Sequence, residues 1–307
     1  MTRPLRNSII CIAVCCAMAT TFYMCTSSSY PEPRRHDAQA DTLAPHVTNL
    51  PVVPESADFC GEQLPLDREY VAEALDREII TNTFLHSATI LIVKRAPRYF
   101  PVIEKILREN GIPDDFKYLA VAESALYTTA TSPAGAVGFW QIMKDTGREY
   151  GLTINDEIDE RYDLVKSTKA ACDYFRKAYN TFGTWTLVAA SYNGGMNRVS
   201  KVKNAQKSDS FYSLAFAEET SRYVYRIVAL KTILSAPEKY GFNIPEEQKY
   251  KPYSTKSVEV DATIADLPQW ASEQGADYKE LRTLNPWIRS YSITVNGGKK
   301  YEILLPR

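Results

Sequence analysis

Hydrophobic side chains along most of this chain recur at intervals of three and four residues, which is the pattern of amphipathic α-helices. In the first such stretch, which begins at Asp67, Val71, Leu75 and Ile79 would share one face. Further helices are predicted at residues 98–110, 113–123, 165–179, 185–191 and 219–234. The sequence therefore predicts a mainly α fold, whose helical domain we place at residues 61–248.

The pattern changes near Tyr253. Two stretches alternate like strands, and two stretches between them have helical spacing. In chain order these are residues 258–260, 264–274, 278–284 and 301–305. The order strand, helix, helix, strand predicts a small α+β domain at residues 253–307.

Residues 1–25 have the composition of an export signal. Arg3 and Arg6 form a basic start, and the apolar stretch that follows is short for a transmembrane helix. Two processing routes stay open: cleavage after Ala19, or lipidation of Cys25, which precedes a serine-rich stretch as in bacterial lipoproteins. Residues 26–60 are rich in proline and poor in large apolar side chains, which predicts a flexible tether.

The formal net charge of −1 over 307 residues argues against a nucleic-acid partner. The histidines, His36, His46 and His86, lie near no cluster of cysteines or carboxylates, so the sequence predicts no metal site and no cofactor. Four of the six cysteines fall in or beside the signal, which leaves Cys60 and Cys172. These two could pair after export, although a buried free thiol is favoured for Cys172.

Glu123 lies in the apolar stripe of its predicted helix, because Phe116, Leu119 and Ala120 precede it by seven, four and three residues. Burial disfavours the charged form of a carboxyl group and raises its pKa toward neutrality, which is what a general acid requires. The alternative is a partly exposed glutamate at the edge of the stripe that pairs with an arginine or lysine.

A loop with the composition of a turn follows Glu123 at residues 132–138, and its glycines would let the backbone approach a ligand closely. The residues after it supply aromatic, amide and thioether groups: Phe139, Trp140, Gln141 and Met143. A carboxylic acid beside an aromatic groove with hydrogen-bonding groups suits a sugar polymer as substrate.

These residues, in this order and spacing, resemble the signature of the goose-type-lysozyme-like lytic transglycosylases of bacterial cell walls, especially the membrane-bound type D. The matching positions are Glu123-Ser124, Ser132, Gly135-Ala136, Gly138 and Gln141-Ile142-Met143. Two later motifs also match, one at Tyr192-Asn193 and one that runs from Glu219 to Tyr223. The chain has Ser191 where the family commonly has alanine, and Gly194-Gly195-Met196 where it commonly has Ala-Gly-Pro. These differences leave Tyr192 and Asn193 at the positions of the motif.

The resemblance implies a lysozyme-like catalytic domain that cleaves peptidoglycan between N-acetylmuramic acid and N-acetylglucosamine. Glu123 would act as acid and then as base, forming a 1,6-anhydro product without a second carboxylate. The substrate-binding residues that it implies are Ser132, Gln141, Met143, Tyr192, Asn193 and Tyr223. It also implies glycan strands as the partner and a periplasmic location, with an outer-membrane anchor if Cys25 is lipidated.

Two other functions stay open: a muramidase that delivers water to the same bond, and a catalytically inactive wall-binding scaffold. An inverting hydrolase needs a second carboxylate as base, for which the acidic segment at residues 155–161 is the candidate. The competing interpretation of that segment is a loop held by Asp159 and Arg161.

The C-terminal domain resembles a LysM peptidoglycan-binding module. Its first-turn motif is degenerate and is present only as residues 261–264. Glycan binding and a purely structural packing role both stay open for this module.

Overall fold

The computed structural model describes residues 50–307. The predicted export signal, Cys25 and the tether up to residue 49 lie outside the described residues. The helices of the described part are α1 Glu69–Phe84, α2 His86–Glu109, α3 Phe116–Ser124, α4 Lys144–Glu149, α5 Leu164–Phe182, α6 Trp185–Gly194, α7 Met196–Gln206, α8 Glu218–Ser235, α9 Leu267–Glu273 and α10 Tyr278–Leu284. The strands are β1 Asp58–Phe59, β2 Glu62–Gln63, β3 Thr255–Val260 and β4 Tyr301–Pro306.

Helix α3 is short, and its neighbours in the helical core fix its position. It packs against α2 and α8, and the ring of Phe116 at its start lies 4.2 Å from Phe175 of α5 and 5.4 Å from Trp185 of α6, between ring centroids. Leu119 and Ala120 are fully buried. Burial of this face holds a helix that is too short to be stable alone.

Helix α2 is longer than predicted. It begins at His86 rather than near residue 98 and continues through Pro97 and Pro101. Proline interrupts the hydrogen bonds of a helix interior, which is why the sequence pattern favoured a later start. Buried Ile92 and Val93 hold the added turns against the core.

The N-terminal edge of the helical domain is a two-stranded hairpin. Strand β1 pairs with β2, and Phe59 is completely buried. The Cys60 N–H donates to Asp115, whose carboxylate also binds Lys231 at 2.7 Å. The stretch from residue 58 to 60 was predicted as the end of the tether, but these contacts make it part of the helical domain.

The C-terminal module has the predicted order of elements. Strands β3 and β4 are antiparallel, from the pair Thr255 and Pro306 to the pair Val260 and Tyr301. Helices α9 and α10 lie between them in sequence, and a capping box that joins Asp277 and Glu280 starts α10. The mainly α fold with a small α+β C-terminal domain is confirmed.

The module is docked on the helical domain through the acidic segment at residues 155–161. Ile158 forms a β-bridge with Ile288, and the Asp159 N–H donates to the carbonyl of Trp287 at 2.8 Å. The Glu157 carboxylate accepts from the Ser292 hydroxyl at 2.6 Å. Hydrogen bonds from Ser292 and Thr294 hold the pKa of Glu157 below its usual value. The segment is therefore an interface between the two domains.

Cys60 and Cys172 are both free thiols, and Cys172 is fully buried on α5. Burial raises the pKa of Cys172 to about 12, so this thiol is chemically inert. Within residues 50–307 we find no group of three or more metal-binding side chains. No helix in the same range is long and apolar enough to cross a bilayer.

Candidate active site

Glu123 occupies the last turn of α3, where the helix ends abruptly. The Ser124 hydroxyl donates back to the carbonyl of Ala120 at 3.0 Å. Ala125 and Leu126 then adopt left-handed conformations with φ of 50° and 56°. Two consecutive residues of this kind without glycine are unusual and carry backbone strain, which is often stored at functional sites. The turn stops the helix directly after the glutamate.

The Glu123 side chain contributes to the wall of an open cavity of about 420 Å³. The end of α3 and the start of the following loop form one part of the wall, including Thr131, Ser132 and Gln141, and Arg226 of α8 also contributes. Among the cavity-lining residues in the described part of the chain, Glu123 alone carries a carboxylate.

Burial raises the pKa of Glu123 to about 7. Two groups oppose this shift: the Tyr223 hydroxyl, which donates to the carboxylate Oε1, and the positive charge of Arg226. The negative charge of Glu219 adds to the shift. At neutral pH the carboxyl group can therefore both give and accept a proton.

Arg226 is held beside the acid by two carboxylates, an arrangement that was not predicted from the sequence. Its guanidinium Nη1 lies 3.0 Å from Glu219, and its Nε lies 3.6 Å from Oε2 of Glu78. Glu78 is almost completely buried on α1 and receives a second arginine, Arg222, at 2.7 Å. The sequence carried one signal for this site, because Glu78 lies in the apolar stripe of α1 as Glu123 does in α3.

The loop at residues 132–142 is fixed by close backbone contacts. The Ser132 Oγ accepts from the Ala136 N–H at 3.0 Å, and the Gly138 N–H donates to the carbonyl of Ala130 at 2.9 Å. Gly138 has φ of +77°, and a Cβ at this position would collide with the carbonyl of Arg161. Only glycine satisfies both constraints.

Arg161 clamps this loop from the inside. Its guanidinium binds both carboxylate oxygens of Asp159, at 2.9 and 2.7 Å, and donates to the carbonyls of Gly135 and Ile142 at 3.1 Å. All of these groups are at least partly buried. The geometry agrees with the interpretation of the acidic segment as a held loop and leaves Asp159 no freedom to act as a catalytic base.

Gln141 lines the cavity and is tied to the loop. Its Nε2 donates to the carbonyls of Gly138 and Ala130 at 2.9 and 3.3 Å, and its φ is +46°. Phe139 and Trp140 before it are buried in the core, so they do not form the aromatic groove surface that was expected. Met143 is exposed at the start of α4 and is not part of the cavity wall.

The two predicted tyrosines support the site from α6 and α8. Tyr223 is buried and holds Glu123 directly. The Tyr192 hydroxyl donates to the carbonyl of Trp140 at 2.6 Å, and the charge of Glu123 helps to raise its pKa well above the usual value, after the larger effect of burial. Asn193 instead accepts a hydrogen bond from Thr220 at 2.8 Å, which joins α6 to α8 outside the cavity wall.

The chain is similar to known proteins in both domains. Residues 100–214 match the transglycosylase SLT domain, and residues 256–307 match the C-terminal LysM-like domain of soluble lytic transglycosylases. Over 247 residues the chain is 30% identical to membrane-bound lytic murein transglycosylase D of Escherichia coli K12, covering 78% of this chain and 53% of that protein. It therefore spans about half the length of this relative. These matches confirm the family resemblance inferred from the motifs.

Two further similarities are weaker. A putative tributyltin chloride resistance protein of Alteromonas is 24% identical over 160 residues, which are 50% of this chain and 77% of that protein. The solved structure of the 70 kDa soluble lytic transglycosylase of Escherichia coli superposes with a TM-score of 0.39 at 21% identity, covering 50% of this chain and 27% of that one.

Proposed function

We propose that this chain, which carries a transglycosylase SLT domain followed by a LysM-like domain, is a lytic transglycosylase of bacterial peptidoglycan. One observation supports the proposal above all: among the described residues that line the cavity, only Glu123 carries a carboxylate, and its pKa is raised to about 7. One carboxyl group poised at neutral pH suits a reaction in which the same group acts first as acid and then as base.

In the first step, Glu123 gives its proton to the oxygen of the glycosidic bond between N-acetylmuramic acid and N-acetylglucosamine. The bond from the muramic acid C1 to that oxygen breaks, and the substrate's own acetamido oxygen stabilises the positive charge that develops at C1. This assistance takes the place of an enzyme nucleophile. Tyr223 and Arg226 then stabilise the Glu123 carboxylate that remains.

In the second step, the Glu123 carboxylate removes the proton of the muramic acid 6-hydroxyl. The 6-oxygen bonds to C1 as the acetamido oxygen leaves it, which closes the 1,6-anhydro ring. Glu123 is protonated again, and no water is consumed. Glu123 gives one proton in the first step and takes one back in the second, so a second carboxylate is not needed.

Ser132 and Gln141 line the cavity, and we assign them to the acetamido group. The same role for Tyr192, whose hydroxyl is bound to the Trp140 carbonyl outside the cavity wall, stays a prediction of the family resemblance. The Ser132 oxygen accepts from a backbone N–H, so its own proton is available for the acetamido oxygen. The Gln141 amide nitrogen is held by two carbonyls, which orients its oxygen as an acceptor. Tyr223 positions Glu123, while Met143 and Asn193 stay predictions of the family resemblance.

We also propose that the protein acts in the periplasm on glycan strands. The relative in Escherichia coli is named as membrane-bound. For this chain, cleavage after Ala19 and lipidation of Cys25 remain the two routes, and only the second gives a membrane anchor. Residues 26–60 would then act mainly as a tether, residues 61–248 as the catalytic domain and residues 253–307 as a wall-binding module.

The alternatives make different products. A muramidase would need a base to activate water, and Asp159 and Glu157 of the acidic segment are already engaged by Arg161 and by the C-terminal module. An inactive scaffold would not require a buried carboxyl group with a pKa near neutrality.

The test is mass spectrometry of the muropeptides that the purified protein releases from sacculi. We expect products that end in 1,6-anhydromuramic acid, and no products from Glu123→Gln. Glu149→Gln, which changes an exposed carboxylate on α4, is the matched control and should keep full activity. Reducing-end products would identify a hydrolase, and equal release by Glu123→Gln would refute the assignment of the acid.

A further inference from the structure

A second cavity, of about 480 Å³, lies between the helical domain and the C-terminal module. The helical domain contributes residues of α2 and the start of α5, the linker contributes Tyr253, and the module contributes residues of β3, β4 and the end of α10. The cavity is larger than the one that holds Glu123, and the proposed reaction does not use it.

The walls of this junction cavity are held together by contacts between the two domains. The Arg289 N–H donates to the carbonyl of Glu157 at 2.7 Å, and the Arg289 guanidinium lies over the ring of Tyr162 at 4.5 Å. Val137, Ile158 and Tyr162 share one hydrophobic cluster with the module. The cavity is therefore a fixed feature of the docked domains.

Charges of both signs line the cavity and lack ionic partners. In the described part of the chain, neither Arg98 nor Lys169 has a carboxylate within 4.0 Å, and Glu302 has no cation within that distance. Lys166, which also lines the cavity, is already paired with Glu160. Asp163, whose carboxylate accepts from the Lys166 N–H at the start of α5, also lines the cavity and has no cation within 4.0 Å among the described residues. Two unpaired cations and two unpaired carboxylates around one cavity complement a ligand that carries both carboxylates and an ammonium group.

The aromatic residues of the cavity are poor platforms for a sugar. Trp287 is buried and stacks on Tyr301, and the Arg98 guanidinium covers the ring of Tyr253 at 4.1 Å. Sugar rings pack on exposed aromatic faces. Trp287 offers none, and although Tyr253 is exposed, the Arg98 guanidinium already lies over its ring. The chemistry favours a peptide instead.

The junction cavity and the acid cavity share one segment of chain. Between residues 125 and 141, Thr131, Ser132 and Gln141 line the acid cavity, whereas Thr128 and Phe139 line the junction cavity. A glycan strand bound beside Glu123 would therefore carry its peptide branches close to the junction.

We propose that the junction cavity binds the stem peptide of peptidoglycan, recognised as a short zwitterionic peptide. Arg98 and Lys169 would bind its carboxylates, and Glu302 its amino group. This inference rests on the proposed function, because it takes peptidoglycan as the substrate. It assigns to the domain junction a role in selecting glycan strands that carry peptides.

The test uses the free stem peptide, released from sacculi by an amidase, which has no glycosidic bond to cleave. Isothermal titration should show saturable binding to the whole protein. Lys169→Met and Glu302→Gln should each weaken binding by about three- to fivefold, as expected for one partly screened ionic contact. Both side chains are exposed, so these substitutions should leave the fold intact. Lys177→Met, on the same helix as Lys169 but outside the cavity wall, should not change the affinity.

Three results would overturn the proposal: no saturable binding of the peptide, equal affinity in the wild type and in both cavity variants, or displacement of the peptide by peptide-free glycan. The third result would identify a sugar subsite. A failure of the proposed catalytic function would appear in the product analysis of sacculi and would leave this binding measurement unaffected.

Discussion

Gly138 is the position at which one added methyl group should damage the candidate site most. Its φ of +77° is unfavourable for any residue with a Cβ. A Cβ would also lie 3.1 Å from the carbonyl carbon of Arg161 and within 3.0 Å of its oxygen, nearer than real Cβ atoms approach other atoms. The carbonyl cannot move away freely, because the Arg161 side chain is bound to Asp159 and to two loop carbonyls.

The cost of Gly138→Ala has two parts. The left-handed conformation costs about 1–2 kcal/mol, and forcing a methyl group into a packed site costs about 1–3 kcal/mol. Gly135→Ala is the matched control, because Gly135 lies in the same loop with φ of +84° and has no atom within 4 Å of the position that its added methyl group would take. We therefore expect Gly138→Ala to lose about 2–5 kcal/mol of unfolding free energy and Gly135→Ala only about 1–2 kcal/mol.

Urea unfolding of the two variants and the wild type measures this difference, and release of muropeptides from sacculi measures its effect on the site. Gly138→Ala should also lose most of its activity, since the loop carries Ser132 and Gln141. If the two alanine variants were equally stable and equally active, the close approach of Gly138 to Arg161 would not be what fixes the loop.

Three further predictions concern the acid and its supports. The positive charge of Arg226 lowers the pKa of Glu123, so Arg226→Met should raise that pKa. The alkaline limb of the profile of kcat/KM against pH should then move to higher pH. Arg222→Met, on the same helix, is the control and should leave the limb in place. The pKa of Glu123 rises from 4.5 to about 7 on folding, so the folded protein holds the Glu123 proton more tightly than the unfolded chain does. The stability gained from this protonation is complete below pH 4.5 and is lost as the pH rises to 7. Glu123→Gln should therefore be more stable than the wild type at pH 8, by up to about 3 kcal/mol in urea unfolding, and no more stable at pH 4. Asn193→Ala should lose about 1–2 kcal/mol of stability, because its contact with Thr220 is removed. If Asn193 also binds the sugar, as the family resemblance implies, KM should rise as well; an unchanged KM would limit Asn193 to joining α6 and α8.

The parts of the site that depend on local sequence could be predicted. The spacing of Phe116, Leu119 and Ala120 placed Glu123 in an apolar stripe, and the structure buries all three. The glycines of the loop and the strand, helix, helix, strand order of the C-terminal module are also local signals. Each depends on residues close together in the chain, where periodicity and turn preferences act directly.

The parts that depend on distant residues could not be predicted. Glu78, Arg222 and Arg226 meet across α1 and α8, and no local pattern sets that pairing. The orientation of Trp140 is a second case, because its indole N–H is drawn into the core by Thr168 at 2.9 Å. An aromatic residue beside a predicted groove has the same local sequence whether it faces the ligand or the core.

The acidic segment at residues 155–161 is a further case in which contacts with distant residues could not be predicted. Its carboxylates suggested either a base or a held loop, and the second interpretation agrees with the contacts of Asp159. Its other function, docking of the C-terminal module through Glu157, needs the folded module as a partner. Charge and composition alone contain no information about that partner.

The central claim is that one glutamate breaks the glycosidic bond and forms the new one without water. The most direct measurement is digestion of sacculi in water enriched in heavy oxygen, with mass spectrometry of the released muropeptides. We expect products lighter than reducing-end muropeptides by one water, with no heavy oxygen incorporated at C1. Incorporation of heavy oxygen at the new muramic acid end would contradict the claim and would make the enzyme a hydrolase.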